Sequence, residues 1–365
     1  MAYIDGIPIK DSLHTDFSTS SGVWVEYRHQ LTGDYLARKG TGSNYHEFSD
    51  GTFREYNRKL DDLGISGRGY HAPYDAGLRY KGDPFIHNYT GVASRQGAYS
   101  TRIVGFGGPL MRVRRNSDNE EVDVRGDANG NISLSSPIIG GSENETFGEY
   151  VGTASGYCTT WYDQFNTGSY QNNLTQATAT DQPMIVSGGS LITDSSGNAS
   201  LAFDGSNHYL PFDTGFTAGL NISGYSAFIV FQANTTDDNQ MVASLGSFAD
   251  SNKRAYLPFI NGGNMTFNYG TTAAPNLTAN TNLNLGIVSA DIARGNMRAF
   301  VNGTDLGGGA LDNKSGGDAT VALGGLGNSL LFGGKIGEFI FYQNDSLSNN
   351  MATIQDNIND HFSIY

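Results

Sequence analysis

From about residue 200 onward the chain breaks into short apolar runs, each closed by Gly, Asn or Asp. The runs are Ala199–Phe203, Ala227–Phe231, Met241–Leu245, Met265–Tyr269, Leu285–Ala290, Met297–Val301, Thr320–Leu323 and Lys335–Tyr342. Short β-branched and aromatic runs separated by turn formers at this spacing predict the strands of a sandwich or barrel. Asn302-Gly303 follows one run directly and is the dipeptide a tight hairpin prefers. Gly fills 49 of 365 positions, and Asn, Ser and Thr are abundant. Gly and Asn tolerate positive φ, while Ser, Thr and Asn side chains compete for backbone hydrogen bonds, so long helices are disfavoured. With 20 Tyr and 20 Phe the chain is too aromatic for disorder. The expectation is an all-β fold. One helix closes it, capped by Ser346 or Ser348, with Met351, Ile354, Ile358 and Phe362 on one face.

Charge divides the chain. Residues 1–125 hold 16 Lys and Arg against 16 Asp and Glu, whereas the rest hold 6 against 20. The division predicts two jobs. Residues 1–95 read as a smaller, mixed, loop-rich anchoring and assembly region, rich in Tyr, Arg and His. Residues 96–365 read as the sandwich, with 96–200 supplying entry strands and loops and 200–365 the main body. A short helix is expected within Tyr45–Leu63, because Phe53, Tyr56, Leu60 and Leu63 recur at helical spacing. Met111-Arg112-Val113-Arg114-Arg115 alternates apolar and basic residues, so it reads as a strand. Arg112, Arg114 and Arg115 are expected to face Glu121 and Asp123 of the next run across a hairpin.

The net charge of −14 argues against nucleic acid as a partner. No run approaches the ~18 apolar residues of a membrane span. The opening Met1-Ala2-Tyr3-Ile4-Asp5-Gly6 carries no export signal pattern. Cys158 is the one cysteine, expected to act as a small buried hydrophobe. The five histidines His14, His29, His46, His71 and His87 match no metal spacing. Asp237 and Asp238, followed by Asn239, cluster hard oxygens that suit a calcium ion; otherwise no cofactor is expected. Gly105-Phe106-Gly107-Gly108 and Gly307-Gly308-Gly309 read as turns with no helix behind them, hence not as phosphate cradles.

Glycoside hydrolysis needs two carboxylates flanking the scissile bond. No Glu-x-Asp-x-x-Glu pattern occurs, and Glu338 is the only Glu after residue 150. Asp163, within Trp161-Tyr162-Asp163-Gln164, is the more distinctive carboxylate. It reads first as a loop-ordering acceptor of backbone N–H groups, beside a core Trp161.

Two resemblances follow from these residues. Gly333-Gly334-Lys335-Ile336-Gly337-Glu338-Phe339-Ile340-Phe341-Tyr342, then Leu347-Ser348 and a helix, resembles the end of laminin-G/concanavalin-like domains. The runs Met297–Gly303 and Tyr225–Gln232 are similar to other strands of that family. The resemblance covers about residues 200–365 and implies a concanavalin-like jelly-roll β-sandwich. The ordered set Ala98-Tyr99-Ser100, Val113-Arg114-Arg115, Trp161-Tyr162-Asp163-Gln164, Gln182-Pro183 and Phe203-Asp204-Gly205 resembles a region of phage tail and fibre proteins. It is also similar to arabinofuranosidase catalytic domains, whose paired cysteines are absent here.

The functional expectation is a bacteriophage virion structural protein, a head or tail fibre or decoration component at the virion surface, and not an enzyme. Residues 1–95 would contact other virion proteins, and the sandwich would meet host-surface glycans. Fibres are symmetric, so a homo-oligomer, a trimer first, is expected. The alternatives are a secreted arabinofuranosidase-like hydrolase and a free lectin-like adhesin.

Overall fold

The computed structural model describes strand backbones between residues 2 and 55, and residues 97–365 apart from 103–107, 128, 143–144, 165–171, 213–223, 246–254, 270–271, 274–275, 292–295, 311–321 and 344–350. The chain forms two compact units. One takes Met1–Asp83 with Ile103–Gly108 and Ala128–Gly130, and the other takes the remainder.

In the first unit β1 (Ala2–Ile4), β2 (Ile7–Thr15), β3 (Val23–His29), β4 (Tyr35–Gly40), β5 (Tyr45–Phe48) and β6 (Phe53–Glu55) form one sheet in chain order. Every neighbouring pair is antiparallel. Within the stretch expected to hold a helix, the described residues are strands, with Tyr45 opposite Glu55 and Glu47 opposite Phe53. Tyr56, Leu60, Leu63, His71 and His87, with the rest of residues 56–96, lie outside the described residues.

The second unit opens with β7 (Gly97–Ser100), β8 (Met111–Arg115), β9 (Glu121–Val124), β10 (Ile138–Ile139) and the helix α1 (Phe147–Val151). Next come β11 (Gly156–Trp161), β12 (Leu174–Thr175), β13 (Met184–Ser187), β14 (Ser190–Leu191), β15 (Leu201–Asp204) and β16 (Leu210–Pro211). β17 (Gly224–Ala233), β18 (Gln240–Ser244), β19 (Ala255–Asn261), β20 (Asn264–Tyr269), β21 (Thr272–Ala273) and β22 (Leu277–Thr278) follow. The chain ends with β23 (Leu283–Asp291), β24 (Asn296–Val301), β25 (Thr304–Ala310), β26 (Ala322–Leu323), β27 (Gly333–Gln343) and α2 (Met351–Phe362).

These strands make two antiparallel sheets among the described residues. The larger runs β10-β9-β8-β11-β13-β15-β27-β17-β23-β24-β25, and β7 also pairs with β27. The smaller runs β16-β26-β18-β19-β20-β21. The two face each other. A Cβ on Gly286 of β23 would lie 3.1 Å from the Phe267 ring of β20, and one on Gly324, at φ +79, would lie 2.2 Å from the Phe203 ring of β15. The inner faces therefore interdigitate as a β-sandwich. The region before residue 200 does not merely lead into this sandwich: β8, β9, β11 and β13 continue its larger sheet.

Residues 227–231 of β17 and 336–341 of β27 are buried at every position, so these central strands are covered on both faces. Ile354, Ile358 and Phe362 of α2 are buried as the 3.6-residue stripe requires, and Phe362 lies against Gly337 of β27. Each such buried aliphatic or aromatic side chain contributes ~1.5–3 kcal/mol. One local reading changes. Gly307, Gly308 and Gly309 are strand residues of β25, paired with Ala299, Arg298 and Met297. A Cβ on Gly308 would fall on the Met297 backbone, so close strand approach is what the glycine permits. The short helix α1 starts with a capping box formed by its Thr146 cap and Glu149.

Candidate functional site

The Trp161-Tyr162-Asp163-Gln164 motif sits where β11 ends, beside β7. Trp161 is fully buried, and its Nε1–H donates to the Ser100 carbonyl at 3.3 Å. Gln164 is also fully buried; its Nε2 donates to the same carbonyl at 2.7 Å and its backbone N–H to the Ala98 carbonyl at 2.8 Å. Ala98 returns a backbone N–H to Asp163 Oδ1 at 3.2 Å, and Asn172 gives one to Oδ2 at 3.2 Å. The backbone N–H of Asp163 itself donates to Asn173 Oδ1 at 2.9 Å. Three of the four motif residues thus clamp β7 in place. Tyr99 of β7 stacks on Phe339 and meets Trp161 and Phe212 edge-on.

Tyr162 points the other way, to the outer face of β8, β9 and β11. Its hydroxyl donates to Asp123 Oδ1 at 2.7 Å, and Arg112 holds the same carboxylate with two bonds of 2.8 and 3.0 Å. Burial and the neighbouring carboxylate push the Tyr162 phenol above its ordinary range. The Asp123 hydrogen bonds raise Arg112 likewise. Of the expected cross-hairpin pairs, Arg112 with Asp123 forms. Arg114 lies opposite Glu121 in register, yet its guanidinium donates to Gln182, Asn119 and the Ala179 carbonyl and rests over the Tyr157 ring. Arg115 turns to Asp118 and Glu120 and covers the Tyr150 ring. Beneath Arg115, an open cleft of ≈ 550 Å³ lies between the β8–β9 hairpin, residues 140–142 and α1.

Glu338 is 1% exposed and held by Arg102 Nε at 3.0 Å, Arg102 Nη2 at 3.1 Å and the Ser100 hydroxyl at 2.6 Å. Arg102, 2% exposed, also donates to the Asn357 carbonyl and side chain of α2 and lies over the Phe362 ring. Every oxygen of this carboxylate is engaged with its own protein, so Glu338 is a structural anion. Sequence reasoning did not find Arg102, because nothing near it announces a partner in β27. Cys158 is buried, and desolvation drives its thiol well above the ordinary range, which leaves it inert at neutral pH.

Asp237 and Asp238 lie in the exposed turn between β17 and β18, where Asp238 accepts a hydrogen bond from Thr235. Among the described residues no group of three or more His, Cys, Asp or Glu is placed to hold a metal ion. No helix among them is long and apolar enough to cross a membrane.

No family model matches the chain, and no curated protein matches it. Solved structures do. A GH54 α-L-arabinofuranosidase soaked with a cyclic sulfate inhibitor matches 73% of this chain and 62% of its own, at 14% identity and a TM-score of 0.50. A mutant GH54 enzyme soaked with 4-nitrophenyl α-L-arabinofuranoside matches the same shares at 13% identity and a TM-score of 0.52. A carbohydrate-binding module of a Ruminococcus gnavus sialidase bound to α2,3 sialyllactose matches 43% of this chain and 95% of its own, at 14% identity and a TM-score of 0.35. The chain thus spans 62% of the length of the arabinofuranosidases it resembles. At these identities the likeness is one of fold. It overturns one expectation. The chain was read as a non-enzyme, but the structures that share its fold over 73% of its length are enzymes.

Proposed function

We propose that this protein recognises carbohydrate, and that it does so outside the cell as a displayed component of a phage particle. The observation that carries the carbohydrate reading is the sandwich shared with arabinofuranosidases over 73% of the chain. The virion part rests on the sequence: the resemblance to tail and fibre proteins and the division between a charge-dense, neutral segment and an acidic remainder. Residues 1–95 would anchor the protein to its neighbours, and symmetric assembly, a trimer first, would raise weak sugar affinity to useful avidity.

The test is binding of the intact protein to immobilised glycans, with soluble sugar as competitor. Saturable binding that free sugar displaces is expected; no binding across a broad panel overturns the reading. Light scattering on the same sample addresses assembly: a multiple of 39.1 kDa supports the displayed oligomer, and a monomer favours the free adhesin. Chromogenic arabinofuranosides belong in the same panel, since the fold relatives hydrolyse such bonds. Turnover there would make the recognised sugar a substrate.

A further inference from the structure

The sequence holds three Asn-Gly pairs, Asn129-Gly130, Asn261-Gly262 and Asn302-Gly303. This dipeptide carries a latent reaction. The glycine backbone nitrogen attacks Cγ of the asparagine, and the missing side chain leaves its approach uncrowded. The new N–Cγ bond closes a five-membered succinimide while the Cγ–Nδ2 bond breaks. The side-chain nitrogen leaves as ammonia, taking the proton that the glycine nitrogen gives up. Water then opens the ring at either carbonyl, which yields aspartate or isoaspartate. Water is the one co-reactant. The reaction needs a side chain free to turn, a glycine N–H that is not engaged, and room for the ring.

The fold sorts these pairs. Asn302 is pinned at both ends of its amide. Its Oδ1 accepts the Leu285 backbone N–H at 2.8 Å, and its Nδ2 donates to Oδ1 of the buried Asn284 at 3.1 Å. Gly303 is covered as well, since a Cβ there would lie 3.0 Å from the Tyr365 ring. Asn129 is exposed but already engaged. Asn261 differs on every count. It ends β19 opposite Asn264, and Gly262 and Gly263 make the tight turn between them at φ +54 and +77. Asn261 and Gly262 are exposed, and among the described residues the Asn261 amide and the Gly262 N–H have no hydrogen-bond partner. A Cβ on Gly262 would meet none of the described atoms within 4 Å. The turn is tethered one residue later, where the Gly263 N–H donates to the Thr236 carbonyl at 2.8 Å. The attacking nitrogen is thus free while its surroundings are fixed. We propose that Asn261 is a site of spontaneous deamidation in the folded protein and that the fold protects Asn302. The product places a new negative charge at the β19–β20 turn, and isoaspartate also adds a carbon to the backbone where β19 ends.

The experiment incubates the intact protein in mildly alkaline buffer, with and without denaturing urea, and follows the peptides around Asn261 and Asn302 by mass spectrometry. Conversion shows as the mass gained when the amide becomes an acid, and carboxyl methylation specific for isoaspartate identifies that product. In the folded protein Asn261 should convert faster than Asn302 by about tenfold or more, because two hydrogen bonds at Asn302 must break first. In urea the two rates should converge, since the protection belongs to the fold. Asn261→Gln, which would need a larger ring, should remove the gain at this position and keep the parent's unfolding midpoint. An Asn261 peptide that converts in urea but stays unchanged in the folded protein overturns the site. Equal rates at Asn261 and Asn302 in the folded protein overturn the protection.

Discussion

Arg102 and Glu338 lie 236 residues apart in the chain and form a two-pronged ion pair in which neither side chain is more than 2% exposed. The pair joins the segment after β7 to β27, and Asn357 and Phe362 extend it to α2. Removing one member of a buried pair strands the other without solvent. Glu338→Ala is therefore expected to destabilise the protein by about 3–5 kcal/mol. Replacing both members with apolar side chains of matching volume should cost much less. Urea midpoints of the single and double variants check the difference.

The same pair decides where the chain can be cut. A fragment of residues 200–365 lacks β7 and Arg102, so it would bury Glu338 unpaired and leave residues 338–341 of β27 open on the edge that β7 covers. It is expected to be insoluble or unfolded, whereas residues 97–365 should fold. Circular dichroism and thermal unfolding of the two fragments distinguish them.

Asp163 accepts backbone N–H groups from Ala98 and Asn172 while fully buried. Asp163→Ala leaves those donors without this acceptor, at about 1–3 kcal/mol for each buried group left unsatisfied. The expected signature is a lower unfolding midpoint. Sugar affinity, measured well below that midpoint, should stay at the parent value. Lost affinity at full foldedness would instead put Asp163 in contact with ligand.

His361, in the last turn of α2, is held neutral by burial and by the nearby Arg102 charge, which lower its pKa from 6.5 to about 3. Its neutral form is favoured in the folded protein, while the unfolded chain takes up a proton near 6.5. This contribution is complete above pH 6.5 and declines as pH falls towards 3. The slope is at most ~1.4 kcal/mol per pH unit. His361→Gln should flatten the fall in stability between pH 6.5 and 4.5, which guanidinium titrations at fixed pH values would show.

Thr146 caps α1: its hydroxyl accepts the Glu149 backbone N–H, and the Glu149 carboxylate accepts the Thr146 backbone N–H. Thr146→Ala should lower stability by about 0.5–2 kcal/mol. Thermal unfolding of parent and variant at one pH checks the difference.

Strands and turns were legible in the sequence because their causes are local. Alternating side chains, β-branched and aromatic runs, and Gly, Asn and Asp between them act within a few residues. The all-β class, the Asn302-Gly303 hairpin and the Met351, Ile354, Ile358 and Phe362 stripe were all readable from them. The turn expected at Gly307 failed because pairing with a neighbouring strand outweighs a weak local preference. Only the tertiary structure decided which carboxylates are spent and which are open. Glu338 and Asp163 are buried acceptors, one held by Arg102 and the other by backbone groups of Ala98 and Asn172, while Glu121 is exposed. Burial and partnership depend on residues brought together from distant parts of the chain, and side-chain spacing along one strand carries no record of them.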